Sequence, residues 1–271
     1  MLSRNMLCSL LATVAVSFGC NAANAAEPLK TVEAGQLTYG TAATFAPFEY
    51  MKDGTLVGFD IDLINAIAKQ MNLKPDPSNT QFSGLIPALQ GGRTDIINSA
   101  MYMTPARAAQ VDFVPYLKLG DRVVVKAGNP AKITGRDDSI CGKIIAVTLG
   151  GIEETYARAD AQRCTAGAHA APTILTLPTA QDSALTLRQG RADAIYNSTP
   201  GTVTLLEEVP GVYEAVGPEF EVTTHIGIAV NKGNKPMADA IGQALAKVVA
   251  DGTYKQLIAK WKLPSSVSMF D

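Results

Sequence analysis

The residues with most chemistry to offer lie between Asp95 and Arg107, in the stretch DIINSAMYMTPAR. An apolar β-type pair, Ile96 and Ile97, gives way to the small polar residues Asn98, Ser99 and Ala100. Thr104-Pro105 then reads as a helix start, with threonine as N-cap and proline at the first helical position. Arg107 falls on the first turn of that helix. A strand ending at a cleft, followed by a helix carrying one arginine, suits a small carboxylate. Guanidinium pairs with carboxylate through two parallel hydrogen bonds, strongest when water is excluded. Taken alone Arg107 is an ordinary surface-helix residue, and it is the surrounding pattern that raises it to a candidate.

Other chemistries have little support. No G-x-S-x-G and no paired His-Asp arrangement appears, which argues against a hydrolase. His169 and His225 are the two histidines of the chain. With cysteine spacing wrong for zinc, neither a metal nor a cofactor is expected. The 271 residues are 47% hydrophobic and 18% charged, with a formal net charge of -2. That is globular composition, long enough for one large or two medium domains. There is no basic run or aromatic-basic interleaving, so no nucleic-acid partner is expected.

The N-terminus reads as an export signal over 1–26. Arg4 supplies the positive start, residues 6–18 a short apolar run, and Ala23-Asn24-Ala25 the small residues before cleavage near Ala25 or Ala26. The run is too short to span a bilayer. Lipoprotein processing at Cys20 is the rival, but Ser17 and Phe18 fit it poorly. A soluble protein exported to the periplasm is expected. Cys8 and Cys20 leave with the signal. Cys141 and Cys164 remain, an even pair that in an oxidising compartment most simply forms one disulfide.

The elements that must position Arg107 alternate in type. Residues 37–41 read as a strand, 44–48 as a loop with two aromatics, and Asp53-Gly54 as a hairpin turn. Asp60 stands as N-cap of a helix whose apolar positions Ile61, Ile64, Ile67, Ala68 and Met71 share one face. Residues 82–90 form a second helix and 95–100 a strand. Residues 111–126 are long, extended and interrupted by Pro115 and Gly120, as a strand crossing into a second unit would be. There, strands at 143–148, 173–177 and 193–196 alternate with helices at 153–162, 183–189 and 200–208. Extended chain at 219–224 and a strand at 226–231 lead to helices at 237–250 and up to Trp261. The whole reads as α/β with a largely parallel sheet. The segment from Leu89 to Ser99 (LQGGRTDIINS) is echoed from Leu187 to Ser198 (LRQGRADAIYNS), so two similar units each present an Asn-Ser strand end. Ligands of open parallel sheets bind at such ends, and two of them facing each other make a cleft.

These residues resemble a known family. Gly58-Phe59-Asp60-Ile61-Asp62-Leu63 and its apolar helix are similar to the signature of bacterial periplasmic polar amino-acid-binding proteins, the family 3 solute receptors of ABC importers. Gly40-Thr41, Phe45-Ala46-Pro47-Phe48-Glu49, residues 82–89, 104–107 and Asp251-Gly252-Thr253-Tyr254 agree in order, as does the cysteine pair. The resemblance implies a two-lobe periplasmic binding protein fold of type II. Lobe 1 would comprise 27–119 and 223–271 and lobe 2 would comprise 120–222, with a hinge of two crossing strands. It implies an amino acid or a derivative as ligand, a membrane permease as partner, and a monomer. It implies no catalysis.

Carried over residue by residue, Arg107 is expected to clamp the ligand α-carboxylate. Gly151 and Ile152 would share that carboxylate through backbone N–H groups at a helix start. Phe45 would stack over the ligand and Phe82 would form the opposite wall. Ser99 and Ala100 would meet its ammonium. The departures are informative. Ala42 stands where many members have Asp in GTDxTYxPF, which argues against lysine or arginine as ligand. Tyr102 stands where Ser or Thr is usual. Ser198 stands where the family has the Asp that binds the α-ammonium, and a buried ammonium without a carboxylate is costly. Asp182, Glu49 and Glu153 are the available substitutes, although Asp182 also reads as an N-cap before Ser183 and Glu153 as a first-turn partner of a helix dipole. Two further readings stay open: a periplasmic cyclohexadienyl dehydratase-like enzyme on the same fold, needing a cleft acid, and a chemosensory binding subunit.

Overall fold

The computed structural model describes residues 29–270, so the export signal and Cys20 lie outside the described residues. The chain enters through β1 (Gln36–Thr41), whose residues are almost all buried. A small antiparallel hairpin sheet follows, β2 (Thr44–Phe45), β3 (Glu49–Lys52) and β4 (Thr55–Val57). Helix α1 (Phe59–Gln70) turns Leu63, Ile64, Ile67 and Ala68 into the core, as the spacing requires. Its start differs from expectation. Gly58 is the N-cap, and Asp60 is buried inside the first turn rather than capping it. The Oδ2 atom of Asp60 accepts the N–H of Ala100 at 2.7 Å and the hydroxyl of Tyr116 at 2.5 Å, and these partners hold it inward.

Strand β5 (Lys74–Asn79) has no counterpart among the expected elements, because Pro75 and Pro77 argue against a strand. It survives as an edge, paired in parallel with β1 alone, where missing N–H groups are tolerated. A 3-10 turn at Phe82–Gly84 leads into α2 (Leu85–Gln90). Strand β6 (Ile96–Ile97) is shorter than the expected 95–100. Beyond it the chain leaves the ladder. The Asn98 amide donates to the Asp60 carbonyl at 2.8 Å, and the Ser99 hydroxyl donates to Glu49 at 3.0 Å. Helix α3 (Pro105–Ala108) starts as expected, with the Thr104 hydroxyl accepting the Arg107 N–H.

The long stretch with Pro115 and Gly120 is one continuous strand, β7 (Val111–Lys126). After it come β8 (Ile144–Thr148), α4 (Ile152–Ala166), β9 (Thr173–Leu177), α5 (Ala180–Arg188), β10 (Ala194–Ser198) and α6 (Thr199–Glu208). The return path is a second long strand, β11 (Tyr213–Asn231), and helices α7 (Lys235–Ala250) and α8 (Thr253–Lys260) close the chain. Cys141 and Cys164 are disulfide-bonded, tying the segment before β8 to the end of α4.

All the strands except the hairpin form one sheet, ordered β5-β1-β6-β11-β7-β10-β8-β9. At one end β5, β1 and β6 run parallel, and at the other β10, β8 and β9 do. Between them β7 and β11 pair antiparallel along most of their length. Their register slips between Val216 and Phe220 and again between Phe220 and Thr224. There the strands pass from the first half of the molecule to the second. The sequence echo is structural. Asp95 accepts the N–H of Thr38 on β1 at 2.8 Å, and Asp193 accepts the N–H of Ile144 on β8 at 2.8 Å. Each aspartate thereby anchors the first strand of its own half.

Candidate functional site

The carboxyl ends of the parallel strands in the two halves face each other across a cleft. Its inner part is narrow, with about 40 Å³ of free volume between walls drawn from both halves. Of the residues singled out in the sequence, Phe45, Phe82, Ala100, Tyr102, Gly151 and Ile152 all line this one space. The first four come from the first half and the last two from the start of α4.

Arg107 sits at the edge of the same cleft, 9% exposed. One terminal nitrogen donates to the Tyr102 carbonyl at 2.7 Å. The other crosses the cleft to the Gly150 carbonyl at 2.8 Å. Its guanidinium carbon lies 5.1 Å from the centre of the Phe82 ring, a cation–π distance. Both hydrogen-bond partners are neutral, and no carboxylate among the described residues lies within ion-pairing reach of it. Burial pulls its pKa below the ordinary arginine value, and the nearby Glu153 works against that shift. Two of five N–H donors are in use, so donors and uncompensated charge remain.

Tyr102 is fixed from both ends. Its backbone bridges to Ile226 on β11, and its hydroxyl lies 3.3 Å from Oδ1 of the buried Asp121. Burial and Asp121 push the phenol well above its ordinary pKa, so it stays a hydrogen-bond donor. Burial, and then Glu153, push the Asp121 carboxyl up. Glu153 also lines the cleft, and its pKa is raised by burial, with its own backbone N–H and Arg107 opposing. Its carboxylate folds back over the start of α4, against Gly151.

Gly151 is placed at the cleft wall, but its N–H is bonded to the Thr148 carbonyl at 2.9 Å, closing a tight turn. Three expected contacts are not brought into the cleft. Ser99 is fully buried beneath it, accepting the Ala42 N–H and donating to Glu49. Ser198 is fully buried as the N-cap of α6, accepting from Gly201. Asp182 is not the N-cap of α5. Thr179 is, and Asp182 at the third helical position answers it with an oxygen 2.7 Å from the Thr179 hydroxyl. Sequence reading missed Gly150, Thr148 and Ala180. Thr148 ends a parallel strand, the signal that locates ligands in such sheets. Nothing in the sequence flags the Gly150 carbonyl.

The chain is similar to known proteins in sequence and in fold. The sequence profile described as bacterial extracellular solute-binding proteins, family 3, matches residues 37–264. A putative ABC transporter arginine-binding protein 2 of Escherichia coli (strain K12) is 31% identical over 240 residues, covering 86% of this chain and 93% of its own. The solved structure of an ancestral arginine-binding protein bound to arginine is 35% identical with a TM-score of 0.78, covering 84% of this chain and 98% of that one. An ancestral amino-acid-binding protein described as a precursor of cyclohexadienyl dehydratase is 31% identical with a TM-score of 0.74, covering 84% of this chain and 95% of its own.

Proposed function

The chain belongs to the bacterial extracellular solute-binding proteins of family 3, and from that premise we propose that it captures an amino acid or amino-acid derivative in the periplasm and delivers it to the permease of an ABC importer. The observation that carries this reading is Arg107. It is a buried cation at the seam of two halves, held by neutral carbonyls and lacking an anionic partner among the described residues. A ligand carboxylate supplies that partner. It takes the free N–H groups bidentately, in a site walled by Phe45 and Phe82 where low dielectric strengthens the pair. Lobe 1 (27–119 and 223–271) and lobe 2 (120–222) close on the ligand by bending β7 and β11 where their register slips. The protein acts as a monomer and performs no chemistry on its ligand.

The test is a thermal-shift screen on mature protein that has been unfolded and refolded to strip carried-over ligand. A ligand at about 1,000 times its dissociation constant adds roughly 4 kcal/mol. At about 2–4 °C per kcal/mol this is a shift near ten degrees. The shift is expected with an amino acid and is expected to vanish in Arg107→Ala. Incubation with prephenate or arogenate is expected to give no product, and steady turnover would overturn the binding reading in favour of the dehydratase.

A further inference from the structure

The family acid for the ligand ammonium is absent, since Ser198 occupies its place and is buried as a helix cap. Asp182 accepts the hydroxyl of Thr179, the N-cap of α5, and does not line the inner cleft. Two acids do line it, Glu49 from the first half and Glu153 from the second. The Glu153 carboxylate is already turned onto the N–H end of α4, with Arg107 nearby. Glu49 is different. It is 1% exposed, its Oε1 accepts the Ser99 hydroxyl, and its Oε2 is buried with no hydrogen-bond partner among the described residues. Beside it the cleft is lined by the small residues Ala42 and Ala100. Ser99, expected to meet the ammonium directly, is instead the hydroxyl that orients Glu49.

We propose that Glu49 receives the ligand's ammonium group, through its unpartnered Oε2, in place of the acid missing at Ser198. The inference rests on the amino-acid reading above and adds the second pole to it. A ligand then needs a carboxylate at Arg107 and a cationic nitrogen at Glu49, and a plain carboxylate binds more weakly because it brings no donor to Oε2. The groups around Glu49 are Asp60 on α1, Tyr116 on β7 and, across the cleft, Glu153 on α4. None is a cation. Burial and then Asp60 push Glu49 well above the ordinary carboxylate range, and Asp60 itself is pushed up to about 7 by burial. Both carboxyls are thereby pushed toward their protonated forms in the free protein, and an incoming ammonium favours the ionised form of Glu49 with loss of a proton.

The experiment is titration calorimetry on ligand-stripped mature protein. The probes are the twenty standard L-amino acids and glycine betaine. L-lactate, L-malate and L-phenyllactate match alanine, aspartate and phenylalanine except at the α-nitrogen. At least one cationic probe is expected to bind, and hydroxy acids at least about tenfold more weakly. Glu49→Gln is expected to lose about tenfold or more in affinity for the bound amino acid. Wild-type binding, measured in phosphate and in Tris between pH 6 and 8, is expected to release protons; this readout needs no variant to fold. Equal binding of a hydroxy acid and its amino acid, wild-type affinity in Glu49→Gln, or no proton release would each overturn the proposal. If amino-acid binding is lost in Arg107→Ala but indifferent to Glu49→Gln, only this inference fails. If no probe binds, the amino-acid reading fails and takes this inference with it.

Discussion

At the scale of single residues, the cleft depends on groups whose hydrogen-bonding geometry cannot be imitated by a similar charge. Arg107 reaches two carbonyls in opposite directions, Tyr102 in its own half and Gly150 across the cleft, and still has donors to spare. Lysine has a point charge and no planar fork. Arg107→Lys is therefore expected to keep the fold but weaken amino-acid binding by about tenfold or more, read by calorimetry. Gly150 makes a complementary case. Its φ of +76° favours glycine, and an added Cβ would lie 3.3 Å from the Cβ of Ser83 in the other half. That contact exists only when the halves are together. Gly150→Ala is expected to lower ligand affinity by about tenfold, more than the left-handed backbone strain alone explains, because it obstructs closure as well. Unchanged affinity would show that the halves do not need this approach.

At the scale of elements, the Gly58-Phe59-Asp60 signature has a steric reason. Gly58 has a φ of +141°, and a Cβ there would sit 1.9 Å from the Phe48 carbonyl oxygen, which receives the Asp60 N–H. Backbone cannot step aside as a side chain can. Gly58→Ala is expected to lower Tm by at least about 5 °C, as a roughly 2 kcal/mol loss does at this size. Opening the Cys141–Cys164 bridge, whose ends are 23 residues apart, is expected to cost about 3 kcal/mol and about 6–12 °C in Tm. These elements also show how legible the sequence was. Helix α1 follows from apolar spacing, helices α4, α5, α6 and α7 overlap the stretches that the alternation of elements assigns to them, and the Asp95–Asp193 echo marks the same anchor in both halves. What periodicity does not carry is which way a polar side chain turns. Asp60 reads as a cap but faces inward, Asp182 reads as a cap but answers Thr179, and β5 is hidden by two prolines that only an edge position permits. In the cleft, Arg107 is legible from Thr104-Pro105, whereas the Gly150 carbonyl that meets it is a backbone atom with no sequence signature.

At the scale of the whole molecule, the buried acids give stability a definite slope with pH. Asp60 is pushed by burial from 3.8 to about 7, and Glu49, Asp121 and Glu153 are raised as well, each first by burial. A carboxyl whose folded pKa exceeds its unfolded one binds more protons in the folded state, so its contribution is complete below the unfolded value and disappears as pH rises through the folded one. For Asp60 that window runs from 3.8 to about 7. The opposite sign belongs to Asp112, Asp137 and Asp251, lowered by hydrogen bonds from Lys232, Ser139 and Thr253, whose contribution is lost only as pH falls below the ordinary carboxylate range. The ligand-free protein is thus expected to melt at a higher temperature at pH 5 than at pH 8, measured by circular dichroism, and Asp60→Asn is expected to flatten the decline. A Tm that rises across this window would contradict the burial of these acids. A cationic ligand changes the balance, because it compensates charge that the empty cleft leaves uncompensated. The ligand-induced rise in Tm should then be larger at pH 8 than at pH 5, the free protein having more to recover where its acids are ionised.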